Sequence, residues 1–293
     1  MDTIAVFKEN SDIANVNKSY QFEISKEALN KFERLFEVGS LEDMLPDEIK
    51  KLHENNSEYR IGGHIYETDD NGATYKKDGK LLSNVKYTIN NNKYETNKYG
   101  NLKYSEATPK HITEENSRNI KEQMAVGGEE RQEDDEGGHI IARILGGSDG
   151  IENLVPMRRT INRGDYKRME NEIAKAVQEG KEVIMKINLN YVEDSRRPSK
   201  IQAEYTVDGK KNICVFDNEK DSTELMDSLD GKISKEDYAC FKEEIEDMQN
   251  DGCAVSITSV KMEFAENGDT KKIVVGYLDE STGTKSYKVF EAC

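Results

Sequence analysis

The sequence predicts an α+β protein built on antiparallel sheet. Three observations carry that prediction: a β-hairpin pattern that recurs at an offset of 28 residues, an amphipathic helix followed by strands with an Asp-Gly turn, and a last quarter that reads as one helix and then three strands. The 293 residues suit one large domain or two small ones. The expected organisation is an N-terminal helical segment over 1–58, a central domain over 59–218 and a small α+β domain over 221–293. Within the central domain a hairpin repeat occupies 59–108 and a core 129–217.

Taken in order, ISKEALNKFERLFEV places Ile24, Ala28, Phe32, Leu35 and Phe36 at helical spacing behind Ser25 as N-cap, and LPDEIKKLHENN opens a second helix with Pro46 in its first turn. The repeat then sets Tyr59-x-Ile61, Tyr66-Glu67-Thr68 and Gly72 against Tyr87-x-Ile89, Tyr94-Glu95-Thr96 and Gly100. Each copy alternates aromatic or β-branched residues with polar ones around Gly or Asn turns, the pattern of a hairpin. Residues 109–136 read as polar loop with a short helix around 114–124, and His139-Ile140-Ile141-Ala142 as a short strand closed by Gly146-Gly147.

A helix from Asp165 to Glu179 aligns Tyr166, Met169, Ile173, Ala176 and Val177, with Gly180 just past its end. Strands follow at Glu182–Tyr191, Lys200–Val207 and Asn212–Asp217, the last two joined by Asp208-Gly209. In the tail a helix over Ser234–Asn250 precedes strands near Ala254–Glu266, Lys271–Leu278 and Lys285–Glu291.

Composition excludes several classes. No apolar run reaches the roughly 18 residues that cross a bilayer, and the first residues lack a basic start followed by an apolar stretch, so neither a membrane protein nor a Sec-exported precursor is expected. The expected location is cytoplasmic, or outside the cell by a non-Sec route. Cys214, Cys240, Cys253 and Cys293 show no metal or disulfide spacing. The net charge of −16 argues against a polyanionic partner, because proteins that grip phosphate show a basic footprint. That charge is uneven: 1–58 carry −6, 59–128 carry +2, 129–217 carry −3 and 221–293 carry −9. Six acids fall within Glu129–Glu136, so 137–217 alone are +2, with Arg158, Arg159, Arg163, Lys167 and Arg168 clustered. A solvated loop-and-helix face accounts for such a cluster equally well.

The same stretch holds Gly137-Gly138-His139, Asn153-Leu154-Val155-Pro156-Met157, Asn162 and Glu170. An imidazole behind two glycines suits a general base for water near neutral pH, although a histidine bonded at a strand start is the plainer alternative. Asn162 is either a cap or a neutral oxygen ligand for Mg²⁺, which keeps most of its waters. Glu170 lies at the edge of the helix's apolar stripe, where a carboxylate needs a metal-bound water or a cation as partner. Base, neutral ligand, inward carboxylate and five cations within 34 residues form the inventory of a phosphodiester-cleaving site.

On these residues the sequence resembles the DNA/RNA non-specific endonucleases with a ββα-metal (His-Me finger) core, in the branch found in bacterial polymorphic toxins. The family pattern falls on Glu136-Gly137-Gly138-His139, Asn153 to Met157, Asn162 and Glu170, and both the Asn–Asn and Asn–Glu spacings match. Glu136 stands where the family has Asp, and Gly137 where some branches have Arg. The resemblance is specific over 129–217, weaker back to 59, and covers neither 1–58 nor 221–293.

It implies hydrolysis of DNA and/or RNA with one Mg²⁺, for which Mn²⁺ can substitute. His139 takes a proton from water, Asn162 holds the metal, Glu170 orients its waters, and Asn153 supports the loop or positions His139. Arg143, Arg158, Arg159, Arg163 and Arg168 are the candidates for the substrate phosphate, and an immunity or inhibitor protein is a further expected partner. The alternatives are a binding module on the same fold without turnover, and a nuclease masked by its acidic tail, for which a chain ending near residue 218 should cut faster.

Overall fold

The computed structural model describes residues 5–10, 19–23, 54–61, 64–112, 120–220 and 222–293. The chain divides into two compact units, Met1–Ser105 and Glu106–Cys293, rather than at residues 58 and 218. Both are strand-rich with antiparallel sheets and few helices, the α+β class expected.

In the first unit β1 (Ala5–Asn10), β2 (Ser19–Glu23), β3 (Glu58–Ile61), β4 (His64–Thr68), β5 (Thr74–Lys77) and β6 (Lys80–Leu81) lie side by side in chain order. Neighbours are antiparallel except β2 and β3, which run parallel. Residues 1–58 are therefore not wholly helical; the helix expected at 24–38 lies outside the described residues, as does that expected at 45–56 apart from residues 54–56, which are not helical. Next, β7 (Lys86–Ile89) pairs antiparallel with β8 (Asn92–Thr96), and β9 (Leu102–Ala107) leads into the second unit.

The 28-residue repeat is a repeat of hydrogen bonds. The hydroxyl of Thr68 accepts from the Ser57 amide at 2.9 Å and donates to the Glu54 carbonyl at 2.6 Å. That of Thr96 accepts from Val85 at 3.0 Å and donates to Leu82 at 2.6 Å. One residue later, Asp69 accepts from the amides of Asn71 and Ala73, and Asn97 from those of Tyr99 and Asn101. Threonine thus closes each strand and an Asx side chain shapes each turn, a role these short polar side chains fill by competing for backbone groups. The rings of Tyr75, Tyr87 and Tyr94 stack with centroids 4.8 and 5.3 Å apart.

The second unit begins its described part with the short helix α1 (Ile120–Ala125) and the two-stranded ladder of β10 (Asp135–His139) and β11 (Leu154–Arg158), with His139 opposite Leu154. A π-helical turn, Ile161–Asp165, feeds α2 (Tyr166–Gln178), which buries Tyr166, Met169, Ile173 and Ala176 as its spacing predicts. Burying a side chain such as Ile173 stabilises by about 1.5–3 kcal/mol.

The expected strand at 139–142 is displaced: β10 ends at His139, and Ile140, Ile141 and Ala142 enter a loop with all three buried. Three buried residues in a row carry no period, so an apolar run does not separate a strand from a buried loop. The strand β11 carries no periodic signal for the complementary reason, because all five of its residues are buried and show no alternation.

Beyond α2 the strands β12 (Val183–Tyr191), β13 (Pro198–Val207), β14 (Lys210–Asp217), β15 (Val255–Phe264), β16 (Thr270–Asp279) and β17 (Thr284–Glu291) form one antiparallel sheet in chain order. The helix α3 (Lys235–Asn250), capped by Ser234, lies between β14 and β15 in sequence and contributes Phe241 and Ile245 to a core with Ile257, Ile273 and Val275. The tail elements are where the sequence puts them, but the tail is not separate. β15 pairs with β14 from Asn212↔Glu263 to Phe216↔Ser259, and Glu280 receives the guanidinium of the fully buried Arg158. Leaving such a charge unpaired costs about 3–5 kcal/mol.

A chain ending at residue 218 is accordingly expected to lose cooperative thermal unfolding, followed by circular dichroism, instead of gaining activity. A truncated chain with the parent's melting temperature would show that the tail is dispensable to the fold.

Candidate active site

The glycines before His139 are required by close packing. A β-carbon at Gly137 would sit 2.5 Å from the carbonyl oxygen of Gln123 in α1, and one at Gly138 would press on the Met157 side chain at 2.9 Å. Their absence lets α1 and β11 close on β10 from two sides. Past His139, the amide of the wholly buried Asn153 accepts from Ile141 N at 2.9 Å and donates to the carbonyls of Ile141 (2.8 Å) and Ser148 (2.9 Å). The loop between them is thereby closed, and Asp149 returns to His139 with Oδ1 3.5 Å from Nε2 and 2.5 Å from Arg143 Nε.

The π-helical turn brings Asn162 and Arg163 to the same place, and α2 brings Lys167 and Glu170. His139, Arg143, Asn162, Arg163 and Glu170 all line one cleft of about 670 Å³, with Glu136 and Arg131 also on its wall. The base, neutral ligand and carboxylate expected from the sequence thus converge. Among the described residues, those lining the cleft all come from 120–170 and none from the acidic tail.

Electrostatically the cleft is organised by Glu136. One of its oxygens accepts from Asn162 Nδ2 at 2.9 Å and from Arg163 Nε at 3.0 Å, while the other lies 2.5 Å from Arg163 Nη2 and 3.4 Å from Arg159 Nε. Burial raises its pKa, but the hydrogen bonds from Arg163 and Asn162 and the charges of Arg163 and Arg159 outweigh this and hold it below the ordinary value. Glu170 is the opposite case. It is buried, and desolvation pushes its pKa up against the pull of Lys167, whose ammonium is 3.0 Å away.

Three of the expected phosphate ligands do not line the cleft. Arg158 is 0% exposed and is consumed by Glu280 and the Glu219 carbonyl. Arg168 lies over the ring of Tyr287, 4.6 Å from its centroid, and Arg159 reaches Glu136 without joining the wall. Arg158 and Arg168 go where a carboxylate and an aromatic face await them, and those partners, Glu280 and Tyr287, lie far off in sequence. Conversely Arg131 and Asp149 were not singled out. Arg131 donates to the carbonyls of Gln123, Met124 and Asp135; the one signal for Asp149 was its place in the polar turn Ser148-Asp149-Gly150.

Because burial raises the Glu170 pKa, its ionised form costs stability at high pH, and the cost fades as the pH falls through the folded-state value toward the ordinary carboxylate range. Glu170→Gln is therefore expected to raise the melting temperature of the chelator-treated protein at pH 8 and to leave it near the parent's at pH 4. A lower melting temperature at pH 8 would mean that the Lys167 pair outweighs the burial.

Comparison with known proteins bears on this site directly. The DNA/RNA non-specific endonuclease family model matches residues 83–209. The type VII secretion system protein EssD of Staphylococcus aureus strain USA300 is 35% identical over 171 residues, covering 55% of this chain and 28% of EssD, and that of strain NCTC 8325 / PS 47 matches equally. The chain spans about a quarter of the length of these relatives. The stretch matched by the family model includes His139, Asn153, Asn162 and Glu170, so over residues 83–209 this chain is similar to the DNA/RNA non-specific endonucleases.

Proposed function

We propose that this chain is a metal-dependent endonuclease that hydrolyses phosphodiester bonds in DNA and/or RNA without base specificity, on a ββα-metal core made of β10, β11 and α2. The observation that carries the reading is the convergence of His139, Asn162 and Glu170 with Arg131, Arg143 and Arg163 on one cleft. Contacts of that kind address sugar and phosphate rather than base edges.

The donor set fits Mg²⁺, with Mn²⁺ as substitute. Asn162 spends its Nδ2 on Glu136, which leaves Oδ1 as an acceptor, and Glu170 has only Oε2 engaged by Lys167. Among the described residues no three His, Cys, Asp or Glu side chains gather as in a Zn²⁺ or Ca²⁺ cage, and one amide oxygen with one carboxylate suits an ion that keeps most of its waters. Such an ion, when bound, supplies Lewis-acid stabilisation to the phosphate.

His139 removes the proton of the attacking water, and the Asp149 carboxylate, 3.5 Å from its Nε2, favours the imidazolium that results. Asn162 would hold the metal and Glu170 would orient its waters. Arg143 and Arg163 neutralise the phosphate, which must take Arg163 from Glu136; that carboxylate is the resting counterion of the cleft. Asn153 holds the loop behind His139 and does not touch substrate. Arg158 and Arg168 take no part in phosphate binding. Export by a non-Sec route is the reading that the type VII secretion names of the relatives support, and a protein inhibitor is the partner such a nuclease needs inside its producer. None of the described helices is long and apolar enough to cross a membrane.

With Mg²⁺ the parent is expected to nick supercoiled plasmid and degrade RNA or DNA. His139→Ala should lower the rate by at least about 10²-fold with an unchanged melting curve, and chelation should abolish cleavage. Chelator-insensitive binding without cleavage would make the chain a binding module on this fold. Full activity in His139→Ala would remove the assigned base.

A further inference from the structure

The family match ends at residue 209, yet the strands beyond it reach the turn that presents Asn162. Asp165, the last residue of that turn, has a side chain 4% exposed. Its Oδ2 accepts from Thr258 Oγ1 of β15 at 2.7 Å and lies 2.7 Å from Lys285 Nζ of β17, and its Oδ1 accepts from Tyr287 OH of β17 at 2.8 Å. Lys285 also donates to the Thr160 carbonyl at 3.3 Å, just before the turn. Arg168, one turn into α2, lies over the Tyr287 ring.

On the opposite side the turn is gripped by Glu136 through Asn162 and Arg163. Five residues of π-helix are thus clamped between the ladder strand β10 and the tail strands β15 and β17. A π-turn is a rare insertion, met mostly as a single turn and frequently at functional sites. A buried carboxylate without its donors would be expelled toward water, and Asn162 and Arg163, on the same turn, would move with it.

We infer that Thr258, Lys285 and Tyr287 are positioning residues: through Asp165 they hold the π-helical turn so that the Asn162 amide oxygen and the Arg163 guanidinium face the cleft. The acidic tail is then neither a solubility appendage nor a mask; it is the outer support of the metal and phosphate side of the site. This inference rests on the nuclease reading above, and its failure separates from the failure of that reading in one experiment.

The test compares the full-length parent, the double variant Thr258→Val/Tyr287→Phe and the control Ile245→Val, which thins the tail core without touching Asp165. Mn²⁺ binding is titrated by electron paramagnetic resonance without nucleic acid, beside thermal melts and plasmid nicking at saturating Mn²⁺. The double variant is expected to bind Mn²⁺ about tenfold more weakly, as when a partner of a metal ligand is removed, and to recover most of its nicking rate at saturation. Ile245→Val should lower the melting temperature and keep the parent's affinity. Parent-like Mn²⁺ affinity in the double variant, or an equal loss in Ile245→Val, would overturn the inference. A parent that neither binds Mn²⁺ nor nicks overturns the nuclease reading itself, and the inference with it.

Discussion

Between His139 and Leu154 the chain leaves the two-stranded ladder, crosses a loop with a buried start and returns, and the side chain of Asn153 holds that excursion closed. Its amide answers both the N–H and the carbonyl of Ile141 and also the carbonyl of Ser148, while its own carbonyl accepts from Ile140 N. Backbone polar groups buried away from water must find partners, and with Ile140 and Ile141 at 0% exposure no solvent is on hand. The direction of His139, the return of Asp149 and the start of β11 all follow from this closure. A residue that does not line the cleft therefore sets the geometry of His139, which does.

The cleft is also a balance of charge. Its cations do not stand bare: Arg163 rests on Glu136, Lys167 on Glu170 and Arg143 on Asp149. Such pairs orient the guanidinium forks without burying them fully, the Arg163 side chain being 71% exposed, and a fork held in this way is open to exchange with another anion. The chain's −16 is thus a poor guide to its chemistry, because much of the acid lies in tail strands and helix that line no part of the cleft.

What the sequence made legible and what it hid follow a physical division. Patterns that repeat locally were readable: the 28-residue hairpin repeat, the apolar stripe of α2, the Asp208-Gly209 turn and the helix–strand order of the tail. The spacing from His139 to Asn162 and Glu170 was readable as well, because one ladder, one turn and the helix it feeds carry all three. The partners of long side chains were not. Arg158 meets Glu280, 122 residues on, and Asp165 meets Tyr287 at the same separation. Only folding brings such residues together, so a cluster of arginines in sequence dispersed into a buried ion pair, a stacked ring and two cleft-side contacts. The joining of the tail to the central sheet was hidden for a like reason, since β14 and β15 are separated by α3 and nothing local marks them as neighbours.

The dependence of the site on one buried amide is open to direct measurement. Asn153→Asp keeps the shape of the side chain and removes its two donors to Ile141 and Ser148, placing a charge where none is paired. Hydrogen exchange followed residue by residue is expected to show protection lost at Ile140, Ile141, Leu145 and Gly147, with the amides of β12 to β14 unchanged. Protection in the loop equal to the parent's would contradict the central place given to Asn153.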